Sequence, residues 1–191
     1  MRRLLGVACV TAVLLCASTA TPTTLLPLSF NEIVAGAETV FLGQTVSLRS
    51  EWSLEPHGKS IVTFVTFNVE RVLKGQAGSQ VELRFRGGHI GHQVLRIQGM
   101  PQFAVGDRDV LFVSSQRNAV SPLVGFSYGR FRVVRDPASR VDLVRGPDGQ
   151  PFVVPAATGA IASLSAPRML RPTSYPEFEA FVRDTIARGG R

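Results

Sequence analysis

Histidine is the side chain best suited to both metal ligation and proton transfer near neutral pH, and this chain has three: His57, His89 and His92. Two of them share the stretch RGGHIGHQVLRIQGMPQF at 86–103. Zinc needs three or four ligands within tetrahedral reach. His89 and His92 are three residues apart, which on a strand sends them to opposite faces. A helix would put them on one face, but Gly87, Gly88 and Gly91 argue against a helix. His57 or a distant carboxylate would have to complete the set, and no HExxH pattern is present. The stretch is therefore read as a solvated loop. His57, His89 and His92 are the metal candidates, and no cofactor is expected.

Nucleophilic chemistry has little to work with. The two cysteines, Cys9 and Cys16, both lie in the first twenty residues, and there is no G-x-S-x-G elbow for a serine. The serines of VSSQ (113–116) follow an apolar run and end it. Asp107 and Asp109 flank Arg108 in VGDRD, which reads as a turn whose carboxylates bond local backbone. GQAG (75–78) precedes a strand rather than a helix, so it is no phosphate cradle. A non-catalytic protein is expected, with a small metal-dependent hydrolase as the remote alternative. The arginines offer more. Arg84 and Arg86 alternate outward in VELRFR (81–86), and Arg130 and Arg132 do so in GRFRVV (129–134). If those strands are neighbours, four guanidinium groups share one patch able to bind a polyanion; the plainer reading is a solvated face with Glu82 as a local partner. Phe85 and Phe131 point inward, away from any base-stacking role.

The elements that must position these groups are mostly strands. SFNE (29–32) is a capping box that opens a brief helix, roughly 30–37. From Thr39 the period becomes two: Val40, Leu42, Val46 and Leu48 share one face, Thr39, Thr45, Ser47 and Arg49 the other, with a bulge or bend expected at Gly43. EWSLEPHGKS (51–60) is read as a loop. IVTFVTFNVERVL (61–73) alternates until Val72 and Leu73, and a strand that long must coil or bulge. VLFV (110–113) is apolar on both faces and so buried on both. VDLVRGPDGQPFVV (141–154) predicts a hairpin turning on PDG. SYPE (174–177) is a second capping box, followed by an apolar stripe of Phe178, Phe181, Val182 and Ile186. About eight strands with a helix at each end predict a mainly β fold. The form expected is a small antiparallel OB-like barrel, or else a two-sheet sandwich, with the carboxy-terminal amphipathic helix packed on it.

The first residues carry an address. Arg2 and Arg3 precede the apolar run LLGVACVTAVLLC (4–16), and ASTA (17–20) offers small residues for cleavage after Ala20. That is the pattern of a secretory signal peptide, with a run short for a membrane span. Lipidation at Cys16 would want a small residue before it, where Leu15 stands. The expected organisation is a signal peptide at 1–20, a β-barrel domain at 21–155, a linker at 156–173 and the helix at 174–190. The chain after cleavage has no cysteine, no disulfide and no transmembrane anchor, and it stays periplasmic or leaves the cell. Its formal charge falls from +7 to +5. Of the 21 basic residues only Lys59 and Lys74 are lysine, a ratio first read as the mark of a GC-rich genome and second as affinity for polyanions.

TFVTFNVERVLKG (63–75), RGG (86–88), GMPQFAVGDRDVLFV (99–113) and GFSYGRFRVV (125–134) together resemble a group of secreted bacterial domains without an assigned activity. The resemblance covers roughly residues 30–145 and implies a free-standing module of the kind that elsewhere precedes metalloprotease domains. More distantly, the strand running into LKG is similar to the OB-like netrin module of tissue inhibitors of metalloproteinases. Those use an amino-terminal cysteine and disulfides that the cleaved chain lacks, so no functional residue is carried over. The function expected is binding of a protein partner in the envelope or outside the cell; the alternative is an acidic glycan, lipid headgroup or nucleic acid held by the arginine faces.

Overall fold

A cap starts the first helix where the sequence offers one. The Ser29 amide donates to the Glu32 carboxylate at 2.7 Å, and the Glu32 amide donates back to Ser29 Oγ at 3.3 Å. Helix α1 (Phe30–Gly36) follows and buries Ile33 and Val34. Its carboxy-terminal carbonyls, which lack helical partners, are reached from elsewhere: Lys74 Nζ donates to Val34 O at 2.8 Å and Ala37 O at 2.5 Å. The computed structural model describes residues 28–55, 58–114, 120–154 and 171–189. The expected signal peptide, His57, residues 115–119 and residues 156–170 of the expected linker lie outside these.

Strands β1 (Thr39–Glu55) and β2 (Gly58–Lys74) form one hairpin of two 17-residue arms. The segment 51–60, expected as a loop, is mostly strand. Trp52 and Leu54 continue the alternation of β1 and pair with Ile61 and Lys59, so little is left over for the turn. The bulges expected of so long a hairpin are present. The register slips at Val40/Phe41, Leu42/Gly43 and Thr45/Ser47, which makes Leu73, Glu70 and Val46 the extra residues. At Gly43 a Cβ would sit 2.9 Å from the Phe41 ring and 3.2 Å from Asn68 O, so only glycine fits.

The remaining strands are β3 (Gln80–Arg86), β4 (Gly88–Ile90), β5 (Gln93–Leu95), β6 (Arg108–Val113), β7 (Arg130–Arg135) and β8 (Asp142–Arg145). A short 3-10 turn, Phe126–Gly129, leads into β7. Six strands make one antiparallel sheet in the order β3-β2-β1-β6-β7-β8, and β4 and β5 make a separate hairpin. After β8 the chain reverses over 146–150 and returns a single bridge from Pro151 to Arg145, a reduced form of the hairpin expected at PDG. Helix α2 (Tyr175–Ala187) ends the described chain.

Hydrophobic cores lie on both faces of the sheet. On one face Val40, Leu42, Val110, Phe112, Phe131 and Val133 pack against both helices, where Phe178 and Val182 of α2 are fully buried. Phe30 gathers this core, its ring 4.8–5.8 Å from those of Phe112, Phe131, Phe152, Phe178 and Phe181. On the other face Phe41, Val65, Phe67, Leu83, Phe85 and Leu111 pack together, with Met100 and Phe103 of the connector over them. Neighbours in sequence therefore go to opposite cores: Val40 and Phe41, Leu111 and Phe112. This is the two-sided burial that VLFV predicts. Each buried Phe or Leu stabilises the fold by about 1.5–3 kcal/mol. The sheet ladders run in linear order from β3 to β8 among the described residues. The established architecture is thus a mainly β, six-stranded antiparallel sheet with two helices.

The bulge at Val46 has a consequence for function. Before it, even-numbered Val40 and Leu42 face the helices; after it, even-numbered Leu48 pairs with Val65 and faces the opposite core. One extra residue reverses every side chain beyond it. The single face expected for Val40, Leu42, Val46 and Leu48 is divided, and Leu48 turns toward the glycine-rich stretch.

Candidate functional site: a cavity under the β4–β5 hairpin

The glycine-rich stretch is not a plain loop. Gly88–Ile90 and Gln93–Leu95 pair through His89↔Val94 and Ile90↔Gln93, closed by the two-residue turn Gly91–His92. Gly91 has φ +57° and His92 does not have a positive φ, the type II′ pattern suited to the twist of a hairpin. The β-branched and leucine side chains of HIGHQVL satisfy the strand preference, and glycine supplies the turn.

Two further glycines seat this hairpin on the sheet. Thr63 Oγ1 donates to Gly87 O at 2.7 Å and lies 2.9 Å from Ser50 Oγ, while the Gly87 amide donates to Ile61 O at 2.8 Å. Gly87 and Gly88 have φ +102° and +137°. A Cβ on Gly88 would fall 2.1 Å from Thr63 Oγ1 and 2.8 Å from Ser50 Oγ. The backbone of RGG thus lies directly on the two hydroxyls, an approach that any side chain prevents.

Between hairpin and sheet is a cavity of about 620 Å³. Leu48 and Ser50 of β1, Thr63 and Val65 of β2, and Phe85 and Arg86 of β3 form its floor. His89, Ile90, Val94 and Leu95 of the hairpin close one side, and the connector from Arg96 to Phe103 closes another. Its size lies within the range of small-molecule sites. Arg96 lines it and Arg86 borders it at the end of β3, while no aspartate or glutamate lines it. Arg86 donates to Ser60 Oγ at 3.3 Å. Among the described residues neither Arg86 nor Arg96 forms an ion pair, although most of the other arginines do.

The four arginines singled out by alternation do not come together. Arg84 and Arg86 are on β3, an edge strand, and Arg130 and Arg132 are on β7, with β2, β1 and β6 between. At about 4.8 Å per strand that is roughly 19 Å along the sheet. They also point to opposite faces. Arg130 is opposite Leu111, whose core contains Leu83 and Phe85, and Arg84 and Arg86 alternate with those two. Arg84 pairs with Glu55. Arg130 is committed to Asp109 at 2.8 and 3.0 Å, to Asp107 at 3.0 Å and to Gln102 O, and it lies 4.2 Å over the Phe103 ring. Arg132 contacts Asp107 at 2.5 Å.

Asp107 does bond local backbone, accepting from the Ala104 amide at 2.9 Å. Asp109 instead is fully buried against Arg130. Burial pushes its carboxyl above the usual carboxylate range, and the guanidinium beside it opposes that. A second cavity, about 540 Å³, touches Arg130, Arg132 and Arg145, but Asp107 and Asp109 already neutralise the first two. Arg145 donates to Gly149 O at 3.0 Å and, like Arg96 under the hairpin, forms no ion pair among the described residues.

His89 lies on the rim of the larger cavity and His92 at the exposed tip of the turn, while His57 lies outside the described residues. Among the described residues no three His, Cys, Asp or Glu side chains gather so as to hold a metal, and no helix is long and apolar enough to cross a membrane. Of the residues selected from sequence, Arg86 and His89 belong to the cavity. Ser50, Thr63 and Arg96 were not selected; their only local cue is the position of Arg96 in the alternation of QVLRIQ. Comparison with protein-family models, curated proteins and solved structures finds no match to this chain.

Proposed function

We propose that the chain is a non-catalytic binding module of the periplasm or extracellular space, and that its ligand occupies the cavity under the β4–β5 hairpin. The ligand has an apolar body and one anionic group. The carrying observation is Arg96, which lines a cavity of mixed apolar and polar walls that has no aspartate or glutamate, and which forms no ion pair among the described residues. A guanidinium presents a fork of donors that matches a carboxylate or phosphate. Leu48, Val65, Phe85, Ile97 and Phe103 supply apolar wall for the rest of the ligand. Export rests on the sequence pattern of residues 1–20 alone. The OB-like reading of the sheet is part of the same proposal, supported by the long bulged hairpin β1–β2.

Titration calorimetry with decanoate, decanol and decylamine tests it, because the three share a chain and differ in head charge. Decanoate binds at least about ten-fold more tightly than decanol, and decylamine binds least. The variant Arg96→Ser removes the preference for decanoate, and Arg86→Ser, at a position whose side chain points to the other face of the sheet, leaves it unchanged. Equal binding of all three, or no binding, overturns the proposal.

A further inference from the structure

Among the described residues, the outer edge of β1 is unpaired over about half its length. β6 covers it only from Thr39 to Gln44. The backbone of Thr45 is then taken up by Asp107 O and the Gly106 amide, at 2.8 and 2.9 Å. From Ser47 to Glu55 no strand pairs with that edge among the described residues. The side chains there are unusually apolar for solvent: Leu48 and Trp52 are 40% exposed and Leu54 is 89% exposed. An open edge is a template for another strand, and the sequence along this one specifies which strand.

We propose that β1 pairs with β1 of a second copy of this chain, antiparallel, about a two-fold axis through Ser50. Facing residues of an antiparallel pair share a face, so a symmetric pair must centre on a single residue. Centring on Ser50 sets Arg49 opposite Glu51 of the second copy on one face, twice by symmetry. On the other face it sets Leu48 opposite Trp52, again twice. Opposite charges and large apolar side chains are the facing pairs that stabilise a sheet. Centring on Arg49 places two arginines face to face, and centring on Glu51 places two glutamates face to face, both unfavourable. Centring on Leu48 runs into the edge already occupied at Thr45. Arg49 and Glu51 already lie together within one copy, so the two arginines and two glutamates of the pair form one neutral group. The product is a continuous sheet of twelve strands. Because Leu48 and Ser50 also floor the cavity, the two cavities of such a dimer open on the same face. The pairing rests on the edge and not on what the cavity holds.

Sedimentation velocity tests it on the protein expressed from the full-length sequence. The wild type shows a concentration-dependent monomer–dimer equilibrium. Arg49→Glu and Glu51→Arg each place like charges opposite in the homodimer, and each weakens it by about ten-fold or more. Mixing the two variants restores a dimer, since each copy then faces its complement. The double variant Arg49→Glu, Glu51→Arg likewise restores it. Circular dichroism confirms that each variant keeps the fold. A protein monomeric at every concentration, a dimer indifferent to both single variants, a mixture that fails to pair, or a different chain found on this edge in place of the second copy overturns the proposal.

Discussion

At the scale of single residues, whether an arginine is free or spent decides what it does. Arg130 and Arg86 look alike in sequence, each outward on an alternating strand. Yet Arg130 is 11% exposed and fixed by two aspartates, while the Arg86 guanidinium, among the described residues, bonds Ser60 and forms no ion pair. The consequences of removal differ accordingly. Arg130→Ala strands the Asp109 carboxylate in the interior and destabilises the fold by about 3–5 kcal/mol. Arg86→Ala changes stability by no more than about 1 kcal/mol. Urea denaturation of both variants measures the contrast; similar losses would show that Arg130 is not the counter-charge of the buried aspartate.

At the scale of elements, helix α2 is held by packing more than by its cap. The Glu177 carboxylate accepts from the Ser174 amide at 3.0 Å and from Ser174 Oγ at 2.9 Å, in the first turn of the helix. Phe178, fully buried, has its ring 5.1 Å from those of Phe131 and Phe152. Ser174→Ala costs about 1 kcal/mol, and Phe178→Ala about 3–5 kcal/mol. Thermal melts of the two variants should keep that order. The same scale explains the hairpin under which the cavity lies. Glycines at 87, 88 and 91 look like a flexible loop in sequence, but each has a specific geometric use, two against the Ser50–Thr63 pair and one in a tight turn.

At the scale of the whole molecule, carboxylates set the acid response. Hydrogen bonds from Ser29 hold Glu32 below the usual carboxylate range, those from Ser174 hold Glu177 there, and those from Ser139 hold Asp136 there. Arg108 first, then Arg135, hold Asp142 down. A depressed group stabilises the fold above its ordinary pKa and loses that contribution as pH falls through its folded value. Asp109, raised by burial, acts in the opposite sense and favours the fold in acid. The depressed carboxylates, Asp142 with its two arginine partners foremost, make the melting temperature fall as pH drops below about 5, and Asp109 opposes that fall. Asp142→Asn lessens the fall, because one depressed group is gone. A melting temperature unchanged between pH 6 and pH 3 would contradict these shifts.

The sequence by itself determined what depends on near neighbours. Both capping boxes, the bulge at Gly43, the two-sided burial of VLFV and the apolar stripe of α2 are set by residues a few positions apart, and each stands where the sequence places it. Alternation also separated Arg84 and Arg86 correctly from Leu83 and Phe85. What alternation could not supply was sheet order. That β3 and β7 have three strands between them, on a sheet with a core on each face, follows from long-range pairing that leaves no local mark. The cavity is of the same kind: Ser50, Thr63, Arg86 and Arg96 come from four separate segments and meet only after folding. The bulge at Val46 shows why. A single inserted residue turns Leu48 from one core to the other, and whether it is inserted is decided by the partner strand, since the register belongs to the pair and not to either strand alone.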